Sequence, residues 1–253
     1  MKPLNVKAFV FDLGGTLYGP SPDLVITTKD FLSQVGLSTY SDDQIVRGRS
    51  AAEAWLEKLM YDMNAQPHWE PSHDDWLEYD RQMLSALGVD EGVDEYARVY
   101  QQKWDSKLAR MEEQLLEGCR GALEELRSRG YRLGVVSNRW GSPNPYLDRD
   151  RITSLFESVE YSNVPGYMKP SPYMLVQVAS QLHVNPMKIA YVGDKVEFDV
   201  AAAQRAGAVP VLLAWGRSED EKNAPAGITI LKHATELLEL SQPTKAQKSR
   251  GQR

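Results

Sequence analysis

Three short stretches of this sequence set polar side chains directly after apolar runs, and a fourth holds a lysine between turn residues. Phe9-Val10-Phe11 ends on Asp12, followed by Leu13 and the pair Gly14-Gly15. Leu133-Gly134-Val135-Val136 ends on Ser137-Asn138. Lys169 sits between Gly166-Tyr167-Met168 and Pro170, and Tyr191-Val192-Gly193 ends on Asp194, with Asp199 five residues further on. In open α/β sheets ligands bind beyond the carboxyl ends of the strands, so polar groups that close apolar runs are the ones brought to a ligand. Three carboxylates and one lysine at such an edge predict a hard divalent cation and a phosphoryl group. Magnesium takes few carboxylates, keeps several waters and uses phosphate oxygens for the rest. A serine hydroxyl and an ammonium can hold the remaining phosphate oxygens as charge develops. Asp12, alone after the first run, suits a nucleophile, since aspartate forms aspartyl-phosphates that water then cleaves. Gly14-Gly15 allows the following loop to bring backbone close to an anion.

The surrounding pattern supplies the elements. From Cys119 onward amphipathic helices alternate with short apolar strands: helix 119–129 closed by Gly130, strands 131–136 and 158–161, helix 171–182, strand 189–193, helix 197–206 closed by Gly207, and strand 209–215. That alternation predicts a doubly wound, mostly parallel α/β sheet, Rossmann-like, with strand 7–11 as its central member. About a hundred residues separate that strand from the next α/β element, and they read as helical. Trp76, Met83, Leu84 and Leu87 lie on one helical face behind an N-cap at Ser72, and Tyr96, Tyr100, Trp104, Leu108, Met111 and Leu115 on another. Trp55, Trp69, Trp76 and Trp104 read as core aromatics of this bundle before they read as a pocket lining. Gly19-Pro20 and Gly118 are the expected hinges. The expected division is a core of residues 1–17 and 118–240, a helical insert over 18–117, and a disordered polar tail over 241–253.

Each motif alone is a common turn or cap. Their order is not: DxxGT, a helical insert, hhhSN, KP and GDxxxxD resembles the haloacid dehalogenase (HAD) superfamily of phosphohydrolases. The resemblance runs from Lys7 to Leu17 and from Leu116 to about Trp215, through GYMKPSPYML and YVGDKVEFDVAAAQRAG. It implies an insert equivalent to the family's helical C1 cap, Mg2+ as cofactor, and a small phosphorylated metabolite as substrate, hydrolysed through an aspartyl-phosphate. It also implies roles: Asp12 as nucleophile, Ser137, Asn138 and Lys169 at the phosphate, and Asp12, Asp194, Asp199 and the main-chain carbonyl of Gly14 at the metal. Gly14 departs from the pattern, because the family's phosphatases carry there a second aspartate that protonates the leaving oxygen. The departure keeps two other readings open, a catalytically weak relative that binds a phospholigand or a protein, and a phosphonatase using a Schiff-base lysine such as Lys29 or Lys58. His68 and His73 read first as ordinary loop residues, with metal ligation or proton donation in place of the missing aspartate as the alternatives, and Arg139 and Lys195 adjoin the second and fourth motifs.

Composition sets the remaining bounds. With 29 basic and 35 acidic residues in 253 and a net charge of −6, the chain has no electrostatic bias towards nucleic acid or an anionic membrane. A single cysteine, Cys119, forbids an intramolecular disulfide and suits a reducing, cytoplasmic setting. The apolar run near the N-terminus is too short for a signal or membrane span. The sequence says nothing about oligomeric state.

Overall fold

The computed structural model describes residues 1–19, 23–37 and 39–241. The chain divides into two compact units, Ser21–Glu112 and the remainder, Met1–Pro20 with Glu113–Arg253.

The larger unit is built on a six-stranded parallel sheet. Its strands are β1 (Ala8–Phe11), β4 (Arg132–Ser137), β5 (Ser158–Tyr161), β6 (Ile189–Gly193), β7 (Val209–Leu213) and β8 (Thr229–Leu231), in the order β5-β4-β1-β6-β7-β8. Two further strands, β2 (Tyr18–Gly19) and β3 (Gln114–Leu115), form an antiparallel ribbon. β1 is wholly buried because both of its faces are covered, which is why it reads as an unbroken apolar run instead of an alternation. Phe9 and Phe11 pack with Leu123 and Leu126 of α5 (Cys119–Ser128) and with Leu237 and Leu240 of α10 (Leu237–Leu240). Ala8 and Val10 point the other way, into a cluster with Met174 and Val178 of α7 (Tyr173–Gln181) and Ala203 of α8 (Ala201–Ala206). Burying each Phe contributes roughly 1.5–3 kcal/mol. Helices on both faces make the sheet doubly wound, and β1 is the strand at which its order turns from one side to the other. The shorter helices α6 (Asn144–Arg149) and α9 (Ser218–Asn223) follow β4 and β7.

Several differences from the sequence reading have local causes. β8 carries only three residues and has no periodicity to betray it. The helix expected at 197–206 begins as a π-helical turn over Val196–Val200 before α8 continues it. Gly118, read as a hinge, falls inside the larger unit and is left-handed at φ 80°, and a Cβ there would lie 2.7 Å from the His233 imidazole Cε1. Pro20 and the tail from residue 242 lie outside the described residues.

Among its described residues the smaller unit contains four helices, α1 (Leu24–Gln34), α2 (Asp42–Asp62), α3 (His73–Ala86) and α4 (Val93–Ala109). Ser41 and Ser72 close capping boxes with Gln44 and Asp75, satisfying N–H groups that helix starts leave unpaired. Ile45, Ala52, Leu56 and Met60 form the buried face of α2, and Met83 and Leu84 that of α3. Phe31 meets Tyr100 and Trp104 edge-on at 6.2 and 5.2 Å, and Trp76 meets Tyr79 at 5.5 Å. The long face read from Tyr96 to Leu115 stops early. α4 ends at Ala109, Leu108 is exposed, Met111 turns left-handed at φ 45°, and Leu115 belongs to the ribbon. No described helix is long and apolar enough to cross a membrane.

Candidate active site

The carboxyl ends of β1, β4 and β6, with the loop that follows β5, bring together Asp12, Ser137, Lys169, Asp194 and Asp199, all at least nine-tenths buried. Asp12 leaves the sheet with its N–H still bonded to the Val192 carbonyl at 2.9 Å, so its side chain is aimed by the ladder itself. Lys169 Nζ donates to Asp12 Oδ1 at 2.7 Å and to Asp199 Oδ1 at 2.6 Å. The other Asp12 oxygen, Oδ2, lies 3.4 Å from the Thr16 hydroxyl, which is also 3.2 Å from Asp194 Oδ1. One carboxylate oxygen from each of Asp12, Asp194 and Asp199 can be chosen so that all three lie within 4.8 Å of one another.

Asp199 is anchored more firmly than any other group here. Its Oδ1 accepts from Lys169 Nζ and, at 3.1 Å, from the Tyr191 hydroxyl. Its Oδ2 accepts from the backbone N–H groups of Asp194 at 3.1 Å and Lys195 at 2.9 Å. Four donors fill the four lone-pair directions of a carboxylate. The approach needs a bare neighbour: a Cβ on Gly193 would lie 2.2 Å from Asp199 Cγ, which accounts for the glycine before Asp194. Asn138 acts on the Lys169 loop. Its amide donates to the Lys169 carbonyl at 2.9 Å and its Oδ1 accepts from the Lys169 N–H at 2.7 Å, so both ends of the side chain are engaged by backbone.

Burial dominates the electrostatics. It pushes the Asp12 carboxyl up to about 6, against the pull of Lys169 and with added repulsion from Asp199. Asp194 is raised by burial and then by Asp199, with Arg217 and Lys195 offsetting part of the rise. Burial opposes the charge on Lys169, but Asp12 and Asp199 outweigh it and hold the ammonium above its ordinary range. Tyr191 is held well above its ordinary range by burial and by Asp199, so it remains a donor. Three carboxylates against one ammonium leave an excess of two negative charges among hard oxygen donors. That charge and donor set fit one divalent cation of the magnesium class.

Thr16, Tyr191, Trp215 and Arg217 were not singled out by the sequence reading. Thr16 had a signal, four residues after Asp12 in the DxxGT stretch. Tyr191 sits mid-strand among apolar neighbours, and Arg217 reaches Asp194 Oδ2 at 3.1 Å from a loop 23 residues later. Trp215 donates its indole N–H to the Thr16 carbonyl at 3.2 Å. Lys195 Nζ lies 4.0 Å from Asp194 Oδ2, whereas Arg139 stacks over Tyr146 at 5.0 Å. Lys29, half-buried, and Lys58, exposed, are ion-paired to Asp42 and Asp62, and His68 and His73 are exposed on the helical unit. Gly14 is half-buried and is not among the positive-φ glycines.

Residues 6–207 match the family model of haloacid dehalogenase-like hydrolases. The chain is 28% identical over 225 residues to a glyceraldehyde 3-phosphate phosphatase of Methanopyrus kandleri, covering 85% of this chain and 87% of that one. It is 25% identical over 213 residues to a phosphoglycolate phosphatase of Aquifex aeolicus, covering 83% and 86%. Among solved structures, a predicted phosphoglycolate phosphatase from Haemophilus somnus superposes with a TM-score of 0.63 at 22% identity, covering 94% of this chain and 99% of that chain, a likeness of fold.

Proposed function

The chain belongs to the haloacid dehalogenase-like hydrolases, and on that premise we propose that it is a magnesium-dependent phosphatase of a small phosphorylated metabolite, working through a phospho-Asp12 intermediate. The observation that carries the proposal is the buried cluster itself, in which the strand-end carboxylate Asp12 is bonded to Lys169 at 2.7 Å and shares one space with Asp194 and Asp199. The names of its relatives point to two candidate substrates, 2-phosphoglycolate and glyceraldehyde 3-phosphate.

Asp12, Asp194 and the Gly14 carbonyl would hold the ion directly, while Asp199 adds its charge and acts through Lys169 and the 194–195 backbone. When bound, magnesium supplies positive charge that screens the approach of an anionic phosphoryl group to a carboxylate. An oxygen of Asp12 attacks phosphorus, the bond to the leaving oxygen breaks, and that oxygen takes a proton from solvent, Gly14 having no side chain to donate one. Water then attacks the phosphorus of phospho-Asp12, releasing phosphate and restoring the carboxylate. Lys169 opposes charge on the equatorial oxygens and the Ser137 hydroxyl donates to one of them. Asn138 orients Lys169 by gripping its backbone. Thr16 keeps Asp12 and Asp194 in register. The helical unit, lying in sequence between the first and second motifs, is proposed as the family's cap.

The test is a panel of 2-phosphoglycolate, glyceraldehyde 3-phosphate, acetyl phosphate and p-nitrophenyl phosphate, each with Mg2+ or with chelator. Turnover that needs Mg2+ and is lost in Asp12→Asn, whose amide is nearly isosteric but a poor nucleophile, is the expected result. Turnover retained in folded Asp12→Asn refutes the mechanism, and turnover unchanged in chelator refutes the metal.

A further inference from the structure

Arg217 stands in an unusual position for a residue that neither the motifs nor the proposed chemistry uses. Its guanidinium Nη2 lies 3.1 Å from Asp194 Oδ2, an oxygen of a carboxylate proposed to hold the ion, and its side chain remains 41% exposed. The chain is bent to bring it there. After β7, Trp215 and Gly216 are both left-handed, at φ 52° and 73°. A left-handed conformation costs a residue with a Cβ free energy that glycine does not lose, and such strain persists where the surroundings over-determine it. Here the Trp215 indole is fixed to the Thr16 carbonyl at 3.2 Å and its ring meets His233 edge-on at 5.3 Å. The Arg217 N–H closes the turn on the Ala214 carbonyl at 2.9 Å. Arg217 also has a second place to put its charge, since Nε lies 2.9 Å from Asp220 Oδ2.

We propose that Arg217 is a built-in competitor for the divalent cation at Asp194: it neutralises that carboxylate when no ion is bound, and by having to be displaced it weakens the site's hold on the ion. This deepens the proposed function and rests on its metal reading. The charges require some such effect. Asp12, Asp194 and Asp199 carry three negative charges, Lys169 cancels one, and with Arg217 in place an arriving dication meets only one in excess. The guanidinium also occupies the Asp194 oxygen itself. Because Arg217 is partly exposed and tethered to Asp220, it can leave Asp194 without becoming an unpaired buried charge, which the fully enclosed Lys169 cannot do. Lys195, the other cation facing Asp194, is 46% exposed and 4.0 Å away, so its competition should be weaker.

The experiment is calorimetric titration of Mg2+ and Mn2+ into the chelator-stripped full chain, without substrate. Arg217→Gln, which removes the charge, should tighten binding on the order of tenfold, the scale of a partly exposed ion pair plus lost repulsion of the dication. Arg217→Lys should tighten it about two- to threefold, because a shorter, compact ammonium cannot reproduce the guanidinium contact. Lys195→Gln should change it less than Arg217→Gln, and Asp194→Asn should abolish it. Unchanged or weaker binding in folded Arg217→Gln overturns the inference, since a guanidinium that merely braced Asp194 would support the ion. Should Arg217→Gln not fold, Arg217→Lys carries the same sign and the same refutation. If the wild type binds neither ion and Arg217→Gln also binds none, the metal reading falls and takes this inference with it. Binding by the wild type without tightening in the variant sinks the inference alone.

Discussion

Replacing Lys169 by methionine keeps much of the side-chain volume and removes the one buried cation of the site. Its Nζ is 2.7 Å from Asp12 and 2.6 Å from Asp199, with 3% of the side chain exposed. At an effective dielectric of 20 each contact is worth about 6 kcal/mol before desolvation, and removing one partner of a buried pair typically costs about 3–5 kcal/mol. Lys169 is the cation that lowers the Asp12 pKa against burial, so without it the Asp12 carboxyl should rise further above the ordinary carboxylate range. The nucleophile is the ionised form, so the acid limb of the pH–rate profile should move to higher pH. With p-nitrophenyl phosphate at fixed Mg2+, kcat/KM should fall on the order of 10²–10³ at pH 6.5 and distinctly less at pH 9. Stability should follow the same sign. A carboxyl whose folded pKa is raised loses stability as pH rises through that value, so the deficit of Lys169→Met in urea should grow from pH 5 to pH 9. A loss below threefold, or one that is the same at every pH, would show that Lys169 does not hold Asp12 ionised.

Gly14→Asp puts no side chain on a left-handed backbone, since Gly14 is not a positive-φ glycine, unlike Gly15 at φ 76°. It should flatten the dependence of rate on leaving-group pKa by supplying the missing proton, an effect of about 10²–10⁴ for alkyl phosphates; a wild-type series that is already flat would show that another group donates it. Asp80 is buried in the helical unit with Oδ2 unpaired, and burial, partly offset by Arg49 and reinforced by Asp105, pushes its carboxyl up to about 8. Its folded pKa lies above the unfolded one, so it costs stability as pH rises from about 4 to about 8, by at most about 1.4 kcal/mol per unit. Asp80→Asn should remove that slope from urea denaturation across the window, and an unchanged slope would refute the assignment. Gly193→Ala should destabilise the fold and weaken Mg2+ binding, because the new methyl meets Asp199 Cγ at 2.2 Å and must displace the carboxylate that anchors Asp194 and Lys169; normal metal affinity in that variant would show the anchor to be dispensable.

The α/β architecture was legible because its signals are local. A strand buried on both faces must be apolar throughout, as β1 is, and a helix facing a sheet must be amphipathic, as α5 is. The strand ends were legible for the same reason: Asp12, Ser137 and Asp194 each interrupt an apolar run, and Lys169 stands between turn residues. Where spacing carried less information the reading failed. The face from Tyr96 to Leu115 continues in sequence past the point where α4 ends, because residues three or four apart remain in phase whether or not the backbone stays helical. β8 is too short to show any period.

The sequence by itself determined which residue types stand at the ends of which strands, and hence that three carboxylates and a lysine would meet on one edge of a parallel sheet. Only the tertiary structure decided how they share that space. Asp199 takes four donors while Asp194 keeps an oxygen within reach of Arg217; Asn138 grips the backbone of Lys169; and Tyr191, among apolar neighbours in sequence, points its hydroxyl at Asp199. None of these pairings has a period or a motif, because each joins atoms whose separation is set by strand order and loop path. The charge that Asp12 carries is a tertiary property for the same reason, being the balance of burial against one ammonium contributed from 157 residues away.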